Sequence, residues 1–144
     1  MTKRFYMTPG SCSTGIHLLL EECGVVFEAH LVDLFHGGNF KPDYLAINPK
    51  GTVPALALDD GTVLTEFSAI AWWLARSYPR RKLLPEALAD EVRVLEWMSY
   101  ACNTIHGQGF TRIFTTERYS ANSSEHESIK AQGRQIVDKG FILF

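Results

Sequence analysis

The 144-residue sequence has no apolar run approaching the roughly 18 residues that a membrane-spanning helix needs. Its first residues, MTKRFYMTPGS, run straight into a strand-like segment and lack the apolar centre of an export signal. It also lacks an excess of charge: 14 Lys and Arg against 16 Asp and Glu leave a net charge of −2. That balance gives no electrostatic basis for binding nucleic acid or a membrane surface. Cysteine is scarce. Cys12, Cys23 and Cys102 are an odd number without framework spacing, and with no export signal we expect reduced thiols in a cytoplasmic protein. Neither HExxH nor a paired CxxC occurs, so no metal site is expected. Internal repeats and low-complexity tracts are also missing. Asn122-Ser123-Ser124 matches a glycosylation sequon, a chance match in a cytoplasmic chain. What is present is ordinary for a folded domain: 46% apolar and 21% charged residues, in a chain long enough to bury a core.

Lys3 to Met7 reads as a short strand stopped by Thr8-Pro9-Gly10. Ser11-Cys12-Ser13 opens a helix with Ile16 and Leu18 to Leu20 as its apolar stretch, and Gly24 stands where a left-handed cap is expected. Val25 to Asp33 alternates in part, with Phe27, Ala29 and Leu31 on one face and Glu28 and His30 on the other, as a strand does. Together these form a βαβ unit, whose crossover should be right-handed. His36 to Phe40 is a loop, Lys41 to Ile47 a short irregular helix, and Asn48-Pro49-Lys50-Gly51 a turn. Val53 to Leu58 is a buried strand, Asp59-Asp60-Gly61 a tight hairpin, and Thr62 to Leu64 the returning strand. Thr65-Glu66 starts a helix through Ile70, Ala71 and Leu74 that ends near Tyr78-Pro79. This βαβ-ββα order over residues 1–78 predicts a small α/β domain of thioredoxin-like type.

Residues 79–85 are polar and bounded by proline, and read as a linker. Over 86–144 the strand signals stop and an all-α domain is expected. Glu86 to His106 is predicted as one long amphipathic helix, with Leu88, Val92, Leu95, Ser99, Cys102 and His106 at steps of three or four. A polar loop over 115–124 leads into a second helix, with Ile129, Ile136, Val137 and Gly140 on one side and Ser124 and Glu127 at capping-box spacing. The apolar stripe running into Phe141, Ile142, Leu143 and Phe144 has nothing after it to pack against. The helical domain is therefore expected to be incomplete in this chain.

Cys12 carries the sharpest chemical signal. It lies between a Pro-Gly turn and a helix, where unpaired N–H groups favour a thiolate that can attack a disulfide. The alternative is a small buried apolar residue, the role expected of Cys23 and Cys102. Ser11 and Ser13 are hydroxyls beside a thiol, or simply helix caps. His106 shares its predicted helix face with Ser99, Cys102 and Asn103.

Three stretches carry a family resemblance: Tyr6-Met7-Thr8-Pro9-Gly10-Ser11-Cys12-Ser13, Asn48-Pro49-Lys50-Gly51-Thr52-Val53-Pro54, and Leu64-Thr65-Glu66-Phe67-Ser68-Ala69-Ile70. In order and spacing they resemble the active-site turn, the cis-proline loop and the glutathione-binding strand-to-helix turn of bacterial, beta-class glutathione S-transferases. Glu96-Trp97 and His106 resemble the start of that family's helical domain, whose later helices the chain does not reach. The resemblance implies a glutathione transferase with thiol-exchange chemistry at Cys12 and His106 beside the sulfur. It further implies glutathione as co-substrate, held by Ser11, Lys50, Val53, Pro54, Glu66, Phe67 and Asn103, and a homodimer. Val53 would pair its backbone with the cysteinyl unit by strand addition, next to a cis Pro54. Glu66 would meet the γ-glutamyl ammonium, N–H groups of the following helix its carboxylate, and Lys50 the glycyl carboxylate. Glu66 and Lys50 are otherwise a first-turn charge and a solvated loop residue. Phe67 departs from the family's serine, and Gly107 follows His106 where some members carry lysine. The electrophilic or disulfide acceptor is not legible. The competing reading is a catalytically weak binding or assembly module built on the same fold.

Overall fold

The computed structural model describes residues 2–143 and divides into two compact units at Leu84–Pro85. The first contains β1 (Lys3–Met7), α1 (Ser13–Cys23), β2 (Phe27–Leu31), α2 (Pro42–Leu45), β3 (Ala55–Ala57), β4 (Val63–Thr65) and α3 (Phe67–Ser77). The strands form one mixed sheet in the order β2-β1-β3-β4. β1 and β2 are parallel, while β3 runs antiparallel to both β1 and β4. This is the expected thioredoxin-like arrangement.

Strand alternation sends side chains to two cores. On one side Phe5 and Leu56 are fully buried, as are Ile16 and Leu20 of α1 and Ile70 and Leu74 of α3. On the other, Tyr6, Ala55 and Ala57 cluster with Val32 and with Tyr44 from α2. The predicted punctuation holds. Gly24 closes α1 at φ 66°, and its N–H reaches the Glu21 carbonyl. The β3–β4 turn closes through Leu58 N–H to the Thr62 carbonyl and Gly61 N–H to the Leu58 carbonyl, with Gly61 at φ 88°.

β2 departs from expectation in what its faces meet. It is an edge strand, so α1 covers only its beginning. Phe27 packs edge-on against Phe5 and His17, whereas Leu31 on the same face is 73% exposed. The side chains alternate as predicted, but along the apolar face burial is lost from Phe27 to the exposed Ala29 and Leu31.

The loop between α2 and β3 holds its shape through buried side chains instead of a strand ladder. Asn48 is fully buried. Its amide donates to the Thr52 carbonyl at 2.7 Å, and its Oδ1 accepts the Lys50 N–H at 3.2 Å. The Tyr44 hydroxyl donates to the same Thr52 carbonyl at 2.6 Å, and the Asn39 amide to the Gly51 carbonyl at 2.7 Å. Gly51 sits at φ 62° against the Phe40 ring, where a side chain would collide.

The second unit comprises α4 (Leu88–Tyr100), a π-helical stretch (Ala101–Phe110), α5 (Thr111–Phe114) and α6 (His126–Leu143). The predicted Glu86–His106 helix therefore starts two residues later, changes its winding at Ala101 and continues beyond His106. Its expected core face is also reversed in part: Leu88, Val92 and Leu95 are exposed, while Glu91 is buried. Burial is concentrated lower down, where α6 crosses the π-helical stretch. A methyl group on Gly140 would come within 2.6 Å of Ile105 Cγ1, and one on Gly133 within 2.8 Å of the Gly109 carbonyl oxygen. Close backbone approach at these glycines sets that crossing, with Val137 buried between them. The predicted capping box is not formed. The Asn122 side chain accepts the Ser124 N–H instead, and Glu127 pairs with Lys130. No helix among the described residues is long and apolar enough to cross a membrane.

The Asn48 bonds make a direct prediction. Asn48→Ala should lower unfolding stability by about 1–3 kcal/mol, the usual range for removing a buried hydrogen-bonding side chain. Urea denaturation of the variant beside the wild type measures it.

Candidate functional site

The turn after β1 is drawn together on a single carbonyl. Thr8 O accepts the Ser11 N–H at 3.1 Å, the Ser11 hydroxyl at 2.7 Å and the Ser13 hydroxyl at 3.0 Å. The Thr8 N–H in turn donates to Ser13 Oγ at 3.0 Å. Ser13 is fully buried, and the Ser13 N–H donates to Ser11 Oγ at 3.2 Å. Ser11 thus bonds the N–H of the first residue of α1 from the position before its N-cap. Gly10, at φ 79°, lets the chain turn into this cap.

Cys12 occupies the N-cap position of α1 and is half-buried. The turn and the α2–β3 loop meet at its sulfur: the Cys12 thiol lies 3.5 Å from the Val53 carbonyl oxygen as a weak donor. The adjoining Val53–Pro54 peptide bond is cis. Cys12, Val53 and Pro54, separated by about forty residues of chain, are therefore one local group. The first-turn N–H groups that motivated Cys12 from sequence are largely occupied: Thr14 N–H donates to the Ser11 carbonyl and Gly15 N–H to the Cys12 carbonyl. The positive end of the helix dipole and a carbonyl acceptor both act on Cys12. The other two cysteines differ. Cys23 is buried, and burial pushes its thiol pKa up. Cys102 is half-buried.

A second group forms where β4 turns into α3. Glu66 stands there at φ 72° and ψ 129°, a conformation that costs a residue with a side chain about 1–3 kcal/mol. Its carbonyl accepts the Ile70 N–H at 3.1 Å. Its carboxylate meets Lys50 Nζ at 2.6 Å, and the same ammonium donates to Thr65 Oγ1 at 2.8 Å. Lys50 and Glu66, predicted as separate ligands, are thus paired with each other. Both are exposed, and such a pair contributes about 0–1 kcal/mol. A zwitterionic ligand can exchange with it cheaply. Phe67, the first residue of α3, turns its ring onto Gly15 of α1.

Asn103 and His106 belong to the second unit, on its π-helical stretch, and both are exposed. The protein around the His106 ring nonetheless lowers its pKa by desolvation. Sequence periodicity missed the change of winding beneath them; Gly107 and Gly109, poor α-helix formers, were its only trace. A shallow groove on the α2 side, lined by Tyr6, His30, Asp33, Lys41, Asp43 and Tyr44 among others, contains none of the predicted residues. Among the described residues no cluster of three or more His, Cys, Asp or Glu is arranged to hold a metal ion.

Comparison with known proteins bears on this constellation. Residues 10–77 match the family model of the glutathione S-transferase N-terminal domain. The chain is 45% identical over 125 residues to glutathione S-transferase GstA of Escherichia coli O157:H7, covering 81% of this chain and 60% of that relative. It is 31% identical over 142 residues to glutathione S-transferase GST-4.5 of Xanthomonas campestris pv. campestris, covering 94% of this chain and 67% of that one. Among solved structures, a glutathione transferase homologue from Sulfitobacter with bound glutathione superposes with a TM-score of 0.89. It shares 32% identity, over 96% of this chain and 66% of its own. The chain thus spans three fifths to two thirds of the length of these three relatives. The sheet order agrees with that likeness, and by these matches the chain belongs to the glutathione S-transferase family.

Proposed function

We propose that the first unit binds glutathione and that the protein is a glutathione transferase, conjugating the thiol to electrophiles or exchanging it with disulfides through Cys12. The observation that carries this is the meeting of Cys12 Sγ with the Val53 carbonyl, beside the cis Val53–Pro54 bond. An extended peptide laid along Val53 brings its own sulfur next to Cys12. The Glu66 corner then lies in reach of the ligand's ammonium and carboxylate, and Lys50 can leave Glu66 for the glycyl carboxylate.

In the exchange reaction the Cys12 thiolate attacks one sulfur of oxidised glutathione. A Cys12–glutathione disulfide forms, the original S–S bond breaks, and one glutathione thiolate leaves. The proton lost from Cys12 goes to solvent or to the leaving sulfur. In conjugation the glutathione thiolate attacks an electrophilic carbon directly: a C–S bond forms as the carbon's leaving group departs with its electron pair or, at an activated double bond, as the π pair shifts to the electron-withdrawing end and takes up a proton from solvent. His106, whose pKa desolvation lowers, would donate one ring N–H to the sulfur. Asn103, one helical turn before it, would offer a second polar contact. We place the protein in the cytoplasm, as a homodimer, with no resident metal. The exposed apolar face of α4 supplies a surface suited to such association. The same face and the loss of a serine hydroxyl at Phe67 favour the second reading, a binding or assembly module with little catalysis.

Incubation with oxidised glutathione followed by intact-mass measurement separates the two. The wild type should gain a single glutathione and Cys12→Ser none; a folded wild type that gains nothing leaves the module reading. His106 supplies a second check. By NMR its ring should titrate with a midpoint below 6.5. Because the folded-state pKa is lowered, its contribution to stability is present above the unfolded value and is lost as pH falls through the folded midpoint. His106→Asn should remove the corresponding inflection from the pH profile of transfer.

A further inference from the structure

Phe67 is the residue at which the sequence parts from the family pattern, and the structure gives its ring a definite seat. Gly15 lies in the first turn of α1, and its N–H donates to the Cys12 carbonyl at 3.2 Å. A methyl group placed on Gly15 would come within 2.7 Å of Phe67 Cε2 and 3.0 Å of Cζ. The ring therefore lies flush against a backbone that offers it no Cβ. Gly15 stands three positions after Cys12, so the two share a helix face. On the other side, Phe67 directly follows Glu66, whose φ of 72° has to be held by its surroundings. At that corner Glu66 bonds to exposed Lys50 and to the Ile70 N–H. Neither ties it to the cysteine turn; the ring does.

We propose that Phe67, seated on Gly15, is a positioning residue that clamps the Glu66 corner to the turn carrying Cys12, fixing the distance between the carboxylate and sulfur ends of the glutathione site. This rests on the glutathione-binding reading above. In place of a hydroxyl's bond to the ligand, the protein uses an apolar wedge between the two binding segments. Gly15 is then required by the wedge and not by backbone conformation, since its φ is not in the left-handed region.

The test is a double-mutant cycle in the full chain with Gly15→Ala and Phe67→Ser. Alanine favours an α-helix over glycine, so Gly15→Ala folds but unseats the ring. In the wild-type background it should weaken glutathione binding about tenfold by calorimetry; in the Phe67→Ser background it should change binding by less than about twofold. Hydrogen exchange gives a readout independent of ligand. Gly15→Ala should speed exchange of the Ile70 amide, which bonds to the Glu66 carbonyl, relative to the core Leu56 amide, and should do so only when Phe67 is present. A uniform change at both amides, or an equal loss in both backgrounds, would overturn the clamp. If no variant binds glutathione, wild type included, the functional reading fails, and the exchange comparison still decides whether the clamp exists.

Discussion

The site depends first on a buried amide. Asn48 is wholly enclosed, and by bonding to Thr52 and Lys50 it turns a loop without ladder partners into a rigid edge. Tyr44 and Asn39 complete that support from α2 and the turn before it. Because the loop's shape is set by side chains behind it, the backbone at Val53 is left facing the cysteine turn, and Cys12 can reach its carbonyl. An apolar residue at position 48 would fill the space but leave the Lys50 N–H without this acceptor and the Thr52 carbonyl with Tyr44 in place of two side-chain donors, at a cost of about 1–3 kcal/mol. Buried polar side chains are uncommon in small domains because they are costly to satisfy; here the cost is met completely at Asn48.

Most of the first unit was legible in the sequence. The order of elements, Gly24 as a cap, the Asp59-Asp60-Gly61 hairpin and the contrast between Cys12 and Cys23 all follow from turn chemistry and apolar spacing. These are local properties, and local physics governs them. What was not legible depends on residues far apart in the chain. Nothing in the pattern around Leu31 says that β2 is an edge strand or where α1 stops covering it. Nothing near Lys50 says that its ammonium rests on Glu66, sixteen residues on. The Ser11 hydroxyl was read with two roles open, and nothing around it in the sequence says that it donates to the Thr8 carbonyl and accepts the Ser13 N–H.

The second unit was read less well, and the reason is physical. Amphipathic periodicity assumes a constant winding angle. In this unit the chain switches from i→i+4 to i→i+5 hydrogen bonding at Ala101 and returns at Thr111. The glycines that permit α6 to come close, Gly109, Gly133 and Gly140, have no side chain to contribute to any apolar stripe. The tightest packing of the unit was therefore invisible to a count of apolar residues, while the conspicuous series Leu88, Val92 and Leu95 turned out to face solvent.

The π-helical stretch acts as a phase shifter in the screw of the long helix. Each residue within it advances by a smaller angle than in the α-helix before it, so the face bearing His106 does not continue the face bearing Leu88, Val92 and Leu95. One continuous rod thereby presents two unrelated surfaces, one apolar and one polar, whose directions were set independently. Residues on the first can vary without rotating the second.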